Sequence, residues 1–248
     1  MAEESVPAWD PPADVGEARA SWERHAAHHL NDDLPTIGAL HEGVRLGPHL
    51  LADIMVPAGP APFPVVLYLH GGGWAFGSAR SFRKLGMTFA HHGFLTVMLD
   101  YRLAPEHPFP AALDDVATAL DWIGANAAAY GGTGERIAIG GDSAGANLAL
   151  AAAIRGPDAV RSRLSALLLL YGVYDLAGAL ARANHHPGLV LEVKNYRPDA
   201  DRRSAGQSSA RDVSGAAAVP ADGRREGSLC RGRSRRSCGR TRAGRHRT

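Results

Sequence analysis

Residues 136–154 read Arg-Ile-Ala-Ile-Gly-Gly-Asp-Ser-Ala-Gly-Ala-Asn-Leu-Ala-Leu-Ala-Ala-Ala-Ile, and this stretch decides the fold. An apolar run of strand length, Arg136–Ile139, leads into Gly141-Asp142-Ser143-Ala144-Gly145 and an Ala-rich stretch that favours a helix over Ala144–Ile154. A Gly-x-Ser-x-Gly sequence at a strand-to-helix turn is typical of a nucleophile elbow. There the serine sits on a strained turn, and the glycines let neighbouring backbone pass without a Cβ clash. Ser143 is therefore the candidate nucleophile, although the pentapeptide alone leaves a plain tight turn open.

Outward from this turn, apolar runs alternate with helical stretches. Runs that are apolar on both faces are typical of parallel strands covered by helices on either side, and strand–helix alternation predicts a doubly wound α/β fold. The predicted strands are Ala39–Arg45, Leu50–Val56, Val65–Leu69, Phe94–Leu99, Arg136–Ile139 and Ala166–Tyr171. The predicted helices are Asp14–Leu30, Ser81–His92, Ala111–Ala129 and Ala144–Ile154.

A second glycine-rich motif, His70-Gly71-Gly72-Gly73-Trp74, follows directly on the strand Val65–Leu69. Acyl transfer develops an oxyanion that needs preorganised backbone N–H donors, and successive glycines expose theirs to a ligand. The expected donors are Gly72 and Gly73, joined by the N–H of Ala144 just after the nucleophile. A phosphate-binding loop is the competing interpretation, but the Gly-Lys-Ser/Thr ending of such loops is missing.

Three motifs in this order make the chain resemble the bacterial hormone-sensitive-lipase-like esterases, which have the α/β-hydrolase fold. They are Tyr68–Trp74, the sequence Tyr-Arg-Leu-Ala-Pro-Glu-His-Pro-Phe-Pro-Ala-Ala at 101–112, and Gly141–Gly145, and the resemblance runs over residues 56–175. It implies a carboxylic ester hydrolase acting on small-molecule esters with short to medium acyl chains, and no cofactor or metal. In that family the middle motif braces the active site, so Glu106 and His107 are expected to be structural. The N-terminal segment would form part of a cap over the acyl pocket.

Composition divides the chain into three parts. We predict a cap segment and first strand over residues 1–50, an α/β-hydrolase core over 51–200, and an Arg-rich tail over 201–248 that is too poor in large apolar residues to fold. No signal peptide is visible and the longest apolar run, Ala166–Tyr171, is too short to span a bilayer, so a cytoplasmic protein without a membrane span is expected. The sequence leaves the oligomeric state open.

The general base and the acid that should follow the serine are missing. In this fold the chain order is Ser, then Asp or Glu, then His, and the family resemblance puts the acid in an Asp-Pro motif. Downstream of residue 196 the sequence has no Asp-Pro and a single histidine, His246. Asp175 with His185 or His186 meets the required order formally and stays open as a substitute. As written, the chain is expected to lack its last strands and to be inactive.

A shift of reading frame accounts for the tail. Read one nucleotide out of step, residues 203–210 can encode Asp-Pro-Leu-Ala-Ser-Pro-Leu-His, because only the wobble base of each shifted codon is free. Residues 216–228 can encode Leu-Pro-Pro-Phe-Leu-Leu-Thr-Val-Gly-Glu-Lys-Asp-Pro in the same frame. We infer a single-base insertion or deletion near residues 201–203.

Two rival functions remain at this point. One is another acyl-group hydrolase of the same fold, an amidase or an arylformamidase. The other is a nucleic-acid-binding protein that uses the Arg-rich tail to coat phosphates. The tail lacks the interleaved aromatic residues that stack on bases, and a GC-rich gene read out of frame yields arginine naturally, so no nucleic-acid partner is expected.

Resequencing the gene across codons 195–248 tests the frame hypothesis. We expect one inserted or deleted base near codons 201–203, and a restored frame that carries Asp-Pro and a later histidine. A verified nucleotide sequence whose wobble bases cannot spell Leu-Pro-Pro at codons 216–218 would refute it.

Overall fold

The structure is a computed structural model, and it describes residues 14–176 together with Gly178 and Tyr196. By its internal contacts the chain divides into two units, and all described residues belong to the first, Met1–Ala217. The predicted tail, 201–248, lies outside the described residues, as do His185, His186 and His246.

Six strands form one sheet in the order β1-β2-β4-β3-β5-β6. The strands are β1 (Ala39–Arg45), β2 (Leu51–Val56), β3 (Phe63–Leu69), β4 (Leu95–Asp100), β5 (Gly132–Asp142) and β6 (Leu164–Leu170). The pairs β3/β4, β3/β5 and β5/β6 are parallel, whereas β1/β2 and β2/β4 are antiparallel. The parallel half of the sheet therefore carries both motifs, since His70 follows β3 and Ser143 follows β5.

Successive side chains along the central strands enter two different apolar clusters. Leu67 and Leu69 of β3 belong to the larger cluster, and Tyr68 between them belongs to the smaller one. Met98 of β4 alternates with its neighbours in the same way. Because side chains of a strand point alternately to the two faces, the sheet is buried on both sides, which is why its strands read as continuous apolar runs.

Helices cover the two faces. On the smaller cluster lies α2 (Arg83–His91), which contributes Ala90. The larger cluster includes buried residues of α3 (Ala111–Asn126) and α4 (Ala144–Arg155). The N-terminal helix α1 (Val15–His29) is capped by Asp14, whose Oδ1 accepts the N–H of Glu17 at 2.9 Å. A short helix, α5 (Asp158–Arg161), precedes β6.

The predicted α/β-hydrolase fold with a mostly parallel sheet is confirmed, and β1 has the predicted bounds. The largest differences lie in β5 and α3. Strand β5 is longer than predicted and starts at Gly132, where polar residues hid the pairing of Gly132 with Phe63 from the sequence pattern. Helix α3 ends at Asn126, and a 3₁₀ turn over Ala127–Tyr130 replaces its predicted last residues.

Paired residues on β5 and β6 offer a test of where the core lies. Ile139 and Leu167 are register partners, yet Ile139 is fully buried and Leu167 is 43% exposed. We expect Ile139→Ala to lower the free energy of unfolding by about 2–5 kcal/mol, because it leaves a cavity in the sheet core. The matched Leu167→Ala should cost less than about 1 kcal/mol in the same urea titration. Equal losses at the two positions would contradict this placement of the core.

Candidate active site

Ser143 stands between the last residue of β5 and the first of α4, with φ 48° and ψ −112°. Left-handed φ values are uncommon for residues with a Cβ and mark local strain. The strain is held by backbone hydrogen bonds on both sides of the turn. The Ser143 N–H donates to the carbonyl of Leu170 at 2.9 Å, and the Ser143 carbonyl accepts the N–H of Asn147 at 3.2 Å. The serine thus has the geometry expected of a nucleophile elbow.

The two glycines of the motif are required because the end of β3 passes close to them. A Cβ on Gly145 would lie 1.9 Å from the carbonyl oxygen of Leu69, and one on Gly141 would lie 2.4 Å from the same oxygen. Such contacts are far below van der Waals distance, so no side chain fits at either position. This close passage brings the residues after β3 against the residues that flank Ser143.

Four residues of the loop after β3 have left-handed backbone. Gly72, Gly73, Trp74 and Gly77 have φ values of 115°, 56°, 60° and 90°. The carbonyl of Gly72 accepts the N–H groups of Ala75 and Phe76 at 2.9 and 3.0 Å, which closes the loop into a tight turn. Glycine is needed at 72 because a Cβ there would lie 2.1 Å from the carbonyl oxygen of Phe76.

The three predicted oxyanion donors have no hydrogen-bond partner in the part of the chain that the structure describes. Among residues 14–176, the N–H groups of Gly72, Gly73 and Ala144 donate to no other described residue. Ala144 is the first residue of α4, where helix geometry leaves N–H groups without intrahelical acceptors. Free donors at a helix N-terminus and in a glycine turn can bind an anionic oxygen. Their assignment to an oxyanion hole stays a prediction.

Asp142, the residue before the serine, connects the elbow to the glycine loop. Its buried carboxylate accepts the N–H of Gly71 at 2.9 Å and the hydroxyl of Tyr68 at 3.1 Å through Oδ1, and the hydroxyl of Tyr171 at 3.3 Å through Oδ2. Burial raises the pKa of Asp142, and the bonds from Tyr68 and Gly71 act in the opposite direction. Burial also raises the pKa of Tyr171 to about 12, helped by the charge of Asp142. Sequence reasoning missed this link, whose one signal was a carboxylate inside an otherwise small and apolar motif.

His70 is close to the turn but is held away from base chemistry. Its ring is buried, stacks on Tyr101 at 4.3 Å between centroids, and places Nδ1 2.7 Å from the carbonyl oxygen of Gly71. Burial lowers its pKa. The Tyr101 hydroxyl donates to the carbonyl of His70 at 2.7 Å, so the first residue of the 101–112 motif supports the start of the glycine loop. His70 therefore positions backbone.

The rest of the 101–112 motif braces the same region. The guanidinium of Arg102 contacts both carboxylate oxygens of Asp115 at 2.8–3.0 Å, which ties the motif to α3. Glu106 forms a bidentate ion pair with Arg19 of α1. The backbone N–H of His107 donates to the carbonyl of Leu103. The structural roles that the family resemblance implies for Glu106 and His107 stay predictions.

The described residues do not supply a base for Ser143. No histidine among residues 14–176 forms a hydrogen bond with the Ser143 hydroxyl. Asp175 is exposed, and its Oδ1 accepts the N–H of Gly178 at 2.8 Å. Its proposed partners His185 and His186 lie outside the described residues, so the substitute triad stays a prediction.

The described part of the chain contains neither a metal-binding cluster nor a membrane-spanning helix. No three His, Cys, Asp or Glu side chains there are grouped as ligands for a metal ion. No described helix is long and apolar enough to cross a membrane.

Comparison with known proteins finds that the chain is similar to esterases. A family model described as the alpha/beta hydrolase fold matches residues 66–218. Carboxylesterase NlhH of Mycobacterium tuberculosis is 47% identical over 103 residues, which cover 39% of this chain and 32% of NlhH. Human hormone-sensitive lipase is 36% identical over 118 residues, covering 44% of this chain and 11% of the lipase. An esterase structure from Pyrobaculum calidifontis superposes with a TM-score of 0.67 at 28% identity, over 78% of this chain and 68% of the esterase.

The match thus spans about a third of NlhH and a smaller part of the lipase.

The close passage at Gly145 gives a stability test. Gly145→Ala should lower the free energy of unfolding by about 3 kcal/mol or more, because the new methyl group overlaps the Leu69 carbonyl. The matched control is Gly47→Ala, whose Cβ would lie 3.5 Å from Thr118 in ordinary contact and should change the free energy by less than about 1 kcal/mol. Urea unfolding of the two variants measures both effects. A Gly145→Ala protein as stable as the control would contradict the described turn.

Proposed function

The chain belongs to the α/β-hydrolase fold family, among the hormone-sensitive-lipase-like carboxylesterases, and from this premise we propose that its site is built to hydrolyse carboxylic esters through an acyl-enzyme on Ser143. One observation carries the proposal: a strained serine at a strand-to-helix turn adjoins a glycine loop, and N–H groups on both segments have no partner among the described residues. Acyl transfer needs this combination of an exposed nucleophile and fixed donors.

The chemistry assigns a role to each group. The Ser143 Oγ attacks the ester carbonyl carbon, and the N–H groups of Gly72, Gly73 and Ala144 stabilise the negative charge that develops on the carbonyl oxygen. The C–O bond then breaks, the alcohol leaves with a proton, and the acyl group remains on Ser143. Water hydrolyses this ester, releases the acid and restores the serine hydroxyl. Losing one oxyanion donor typically lowers such rates by about 10²–10³.

The proton of Ser143 needs an acceptor, and we place it in the shifted reading frame. The sequence beyond residue 196 lacks the Asp-Pro motif and offers His246 as its one histidine. Without an acid and a base, a serine hydrolase keeps only about 10³–10⁴-fold acceleration over water, which comes from the oxyanion donors and from binding. The chain as written is therefore proposed to be a poorly active form of an esterase.

We base the proposed substrate class on the names of the relatives and on the small apolar residues that follow the nucleophile. Carboxylesterase NlhH and hormone-sensitive lipase carry ester chemistry in their names. The residues around Ser143, namely Ala144, Gly145 and Ala146, are small and apolar, and Asp142 is engaged by tyrosine hydroxyls and backbone. We propose neutral small-molecule esters with short to medium acyl chains.

Turnover of p-nitrophenyl butyrate tests the proposal on four proteins: the chain as written, the frame-restored protein, and the Ser143→Ala variant of each. We expect the frame-restored protein to exceed the chain as written by a factor of about 10⁴ or more, because the base and its orienting acid return. Each Ser143→Ala variant should fall to the background rate.

The same assay separates the rival functions. A frame-restored protein without Ser143-dependent ester turnover would refute the proposal. Turnover of p-nitroanilides or aryl formamides in place of esters would point to an amidase or an arylformamidase. Salt-dependent retention of nucleic acid by the chain as written in a filter-binding assay would support the binding function of the Arg-rich tail.

A further inference from the structure

Arg19, on the N-terminal helix α1, bonds to two segments that are far from it in sequence. Its Nε donates to the carbonyl of Ala75 at 2.8 Å, and its Nη2 donates to the carbonyl of Ala104 at 2.9 Å. Its guanidinium also binds both carboxylate oxygens of Glu106, at 2.9 and 2.7 Å. One side chain thus joins α1, the glycine loop after β3 and the 101–112 motif.

These bonds adjoin the backbone that carries the proposed oxyanion donors. Ala75 donates its own N–H to the carbonyl of Gly72, so Arg19 bonds directly to a residue of that turn. Ala104 donates its N–H to the carbonyl of Trp74 at 2.8 Å while its carbonyl accepts from Arg19. Arg19, Ala104 and the adjacent residues Trp74 and Ala75 therefore form a closed ring of hydrogen bonds next to the Gly72 turn.

The loop needs such an external constraint because its conformation is costly. Gly72, Gly73 and Trp74 all have φ values in the left-handed region, where Trp74 pays a steric penalty for its Cβ. Backbone of this kind persists only when surrounding contacts fix it. Inside the loop, the N–H groups of Ala75 and Phe76 bond to the carbonyl of Gly72. The carbonyls of Trp74 and Ala75 are bound from outside the loop, by Ala104 and Arg19.

Arginine is suited to this position by its shape. Its planar fork presents several N–H groups at fixed angles, so it can bind a carboxylate with two bonds and still donate to carbonyls. Lysine has one ammonium group and cannot reproduce the set. The Arg19 bond holds the pKa of Glu106 down at about 2, so the pair remains charged across the neutral range. Both side chains are partly exposed, and the ion pair by itself contributes little to stability.

Other residues of α1 pack on the same loop. The Trp22 ring lies 5.6 Å from the ring of Phe76, and Glu23 accepts the hydroxyls of Ser78 and Ser81 at 2.9 and 2.6 Å. These contacts hold α1 against residues 76–81. The contacts of Arg19 reach further toward the glycines, to Ala75.

We propose that Arg19 is a positioning residue of the oxyanion loop, which fixes the backbone of Gly72 and Gly73 by bonding Ala75, Ala104 and Glu106 at once. This inference rests on the proposed function for the meaning of the donors. The physical link itself does not require turnover. Arg19 touches no reacting atom and acts only through the loop.

Hydrogen–deuterium exchange of the full chain tests the link. Arg19→Ala should speed the exchange of the Ala75 and Phe76 amides, which bond to the Gly72 carbonyl, about tenfold or more, while amides of β3 and β5 keep their rates, because only the loop loses its constraint. Arg19→Lys should restore less than half of the lost protection. Arg24→Ala is the matched control, since Arg24 is an exposed arginine on the same helix, and it should leave the loop unchanged.

Exchange in a second variant, together with an activity readout, distinguishes positioning from general stability. Glu106→Gln should speed exchange in the same segment by less than Arg19→Ala does, because the bonds to Ala75 and Ala104 remain. In Ser143-dependent turnover of p-nitrophenyl butyrate by the frame-restored protein, Arg19→Ala should lower kcat about tenfold and leave KM within twofold, since misplaced donors act on the transition state.

The outcomes separate the two proposals. Loop exchange in Arg19→Ala equal to that in Arg24→Ala would overturn the role of Arg19, whether or not the chain hydrolyses esters. Uniform acceleration of exchange across β3, β5 and the loop would also overturn it, because it would mean general destabilisation. Faster loop exchange, together with no Ser143-dependent turnover by the frame-restored protein, would support the link and count against the proposed function alone.

Discussion

The close passage of β3 beside the turn after β5 is the constraint on which the rest of the site depends. The carbonyl of Leu69 lies where any side chain at Gly141 or Gly145 would have to be, so the two strand ends meet backbone to backbone. This contact sets the distance between the serine turn and the glycine loop. The parallel pairing of β3 with β5 places both strand ends at the same edge of the sheet, and the two glycines allow them to meet there.

Buried polar groups then add hydrogen bonds that join the serine turn, the glycine loop and the 101–112 motif. Asp142 binds the Gly71 N–H and two tyrosine hydroxyls, and His70 lies between Tyr101 and Phe82 with its carbonyl bound by Tyr101. The Asp142 carboxylate and the His70 carbonyl each have partners on another segment, and in low dielectric such a network is costly to break in part. The elbow, the glycine loop and the 101–112 motif are for this reason one mechanical unit.

Much of this could be predicted from the sequence where the signal is local. Strand β1 has the predicted bounds because its pattern and its flanking turns agree, and the two glycine motifs lie at strand ends as expected. The contacts of Asp142 and Arg19 could not be predicted, because they join residues dozens of positions apart and leave no periodicity in the sequence. The start of β5 at Gly132 was also hidden, since pairing with Phe63 overrides the turn preference of three glycines within residues 131–134. The acid and the base proposed for Ser143 stay predictions, because they depend on the reading frame of the gene.

The position of Arg19 bears on where the boundaries of an expressed fragment of such a protein should be placed. The three motifs begin at Tyr68, and a boundary drawn from them alone would leave out α1 together with the antiparallel strands β1 and β2. A fragment of that kind would keep the serine and all of its glycines, and it would read as intact in any motif search. Its glycine loop would have lost the outer hydrogen bonds at Ala75 and Ala104, and β4 would have lost the neighbour that covers its edge. For this chain, the ends of the working unit are set by long-range hydrogen bonds, so motif boundaries make poor cloning boundaries.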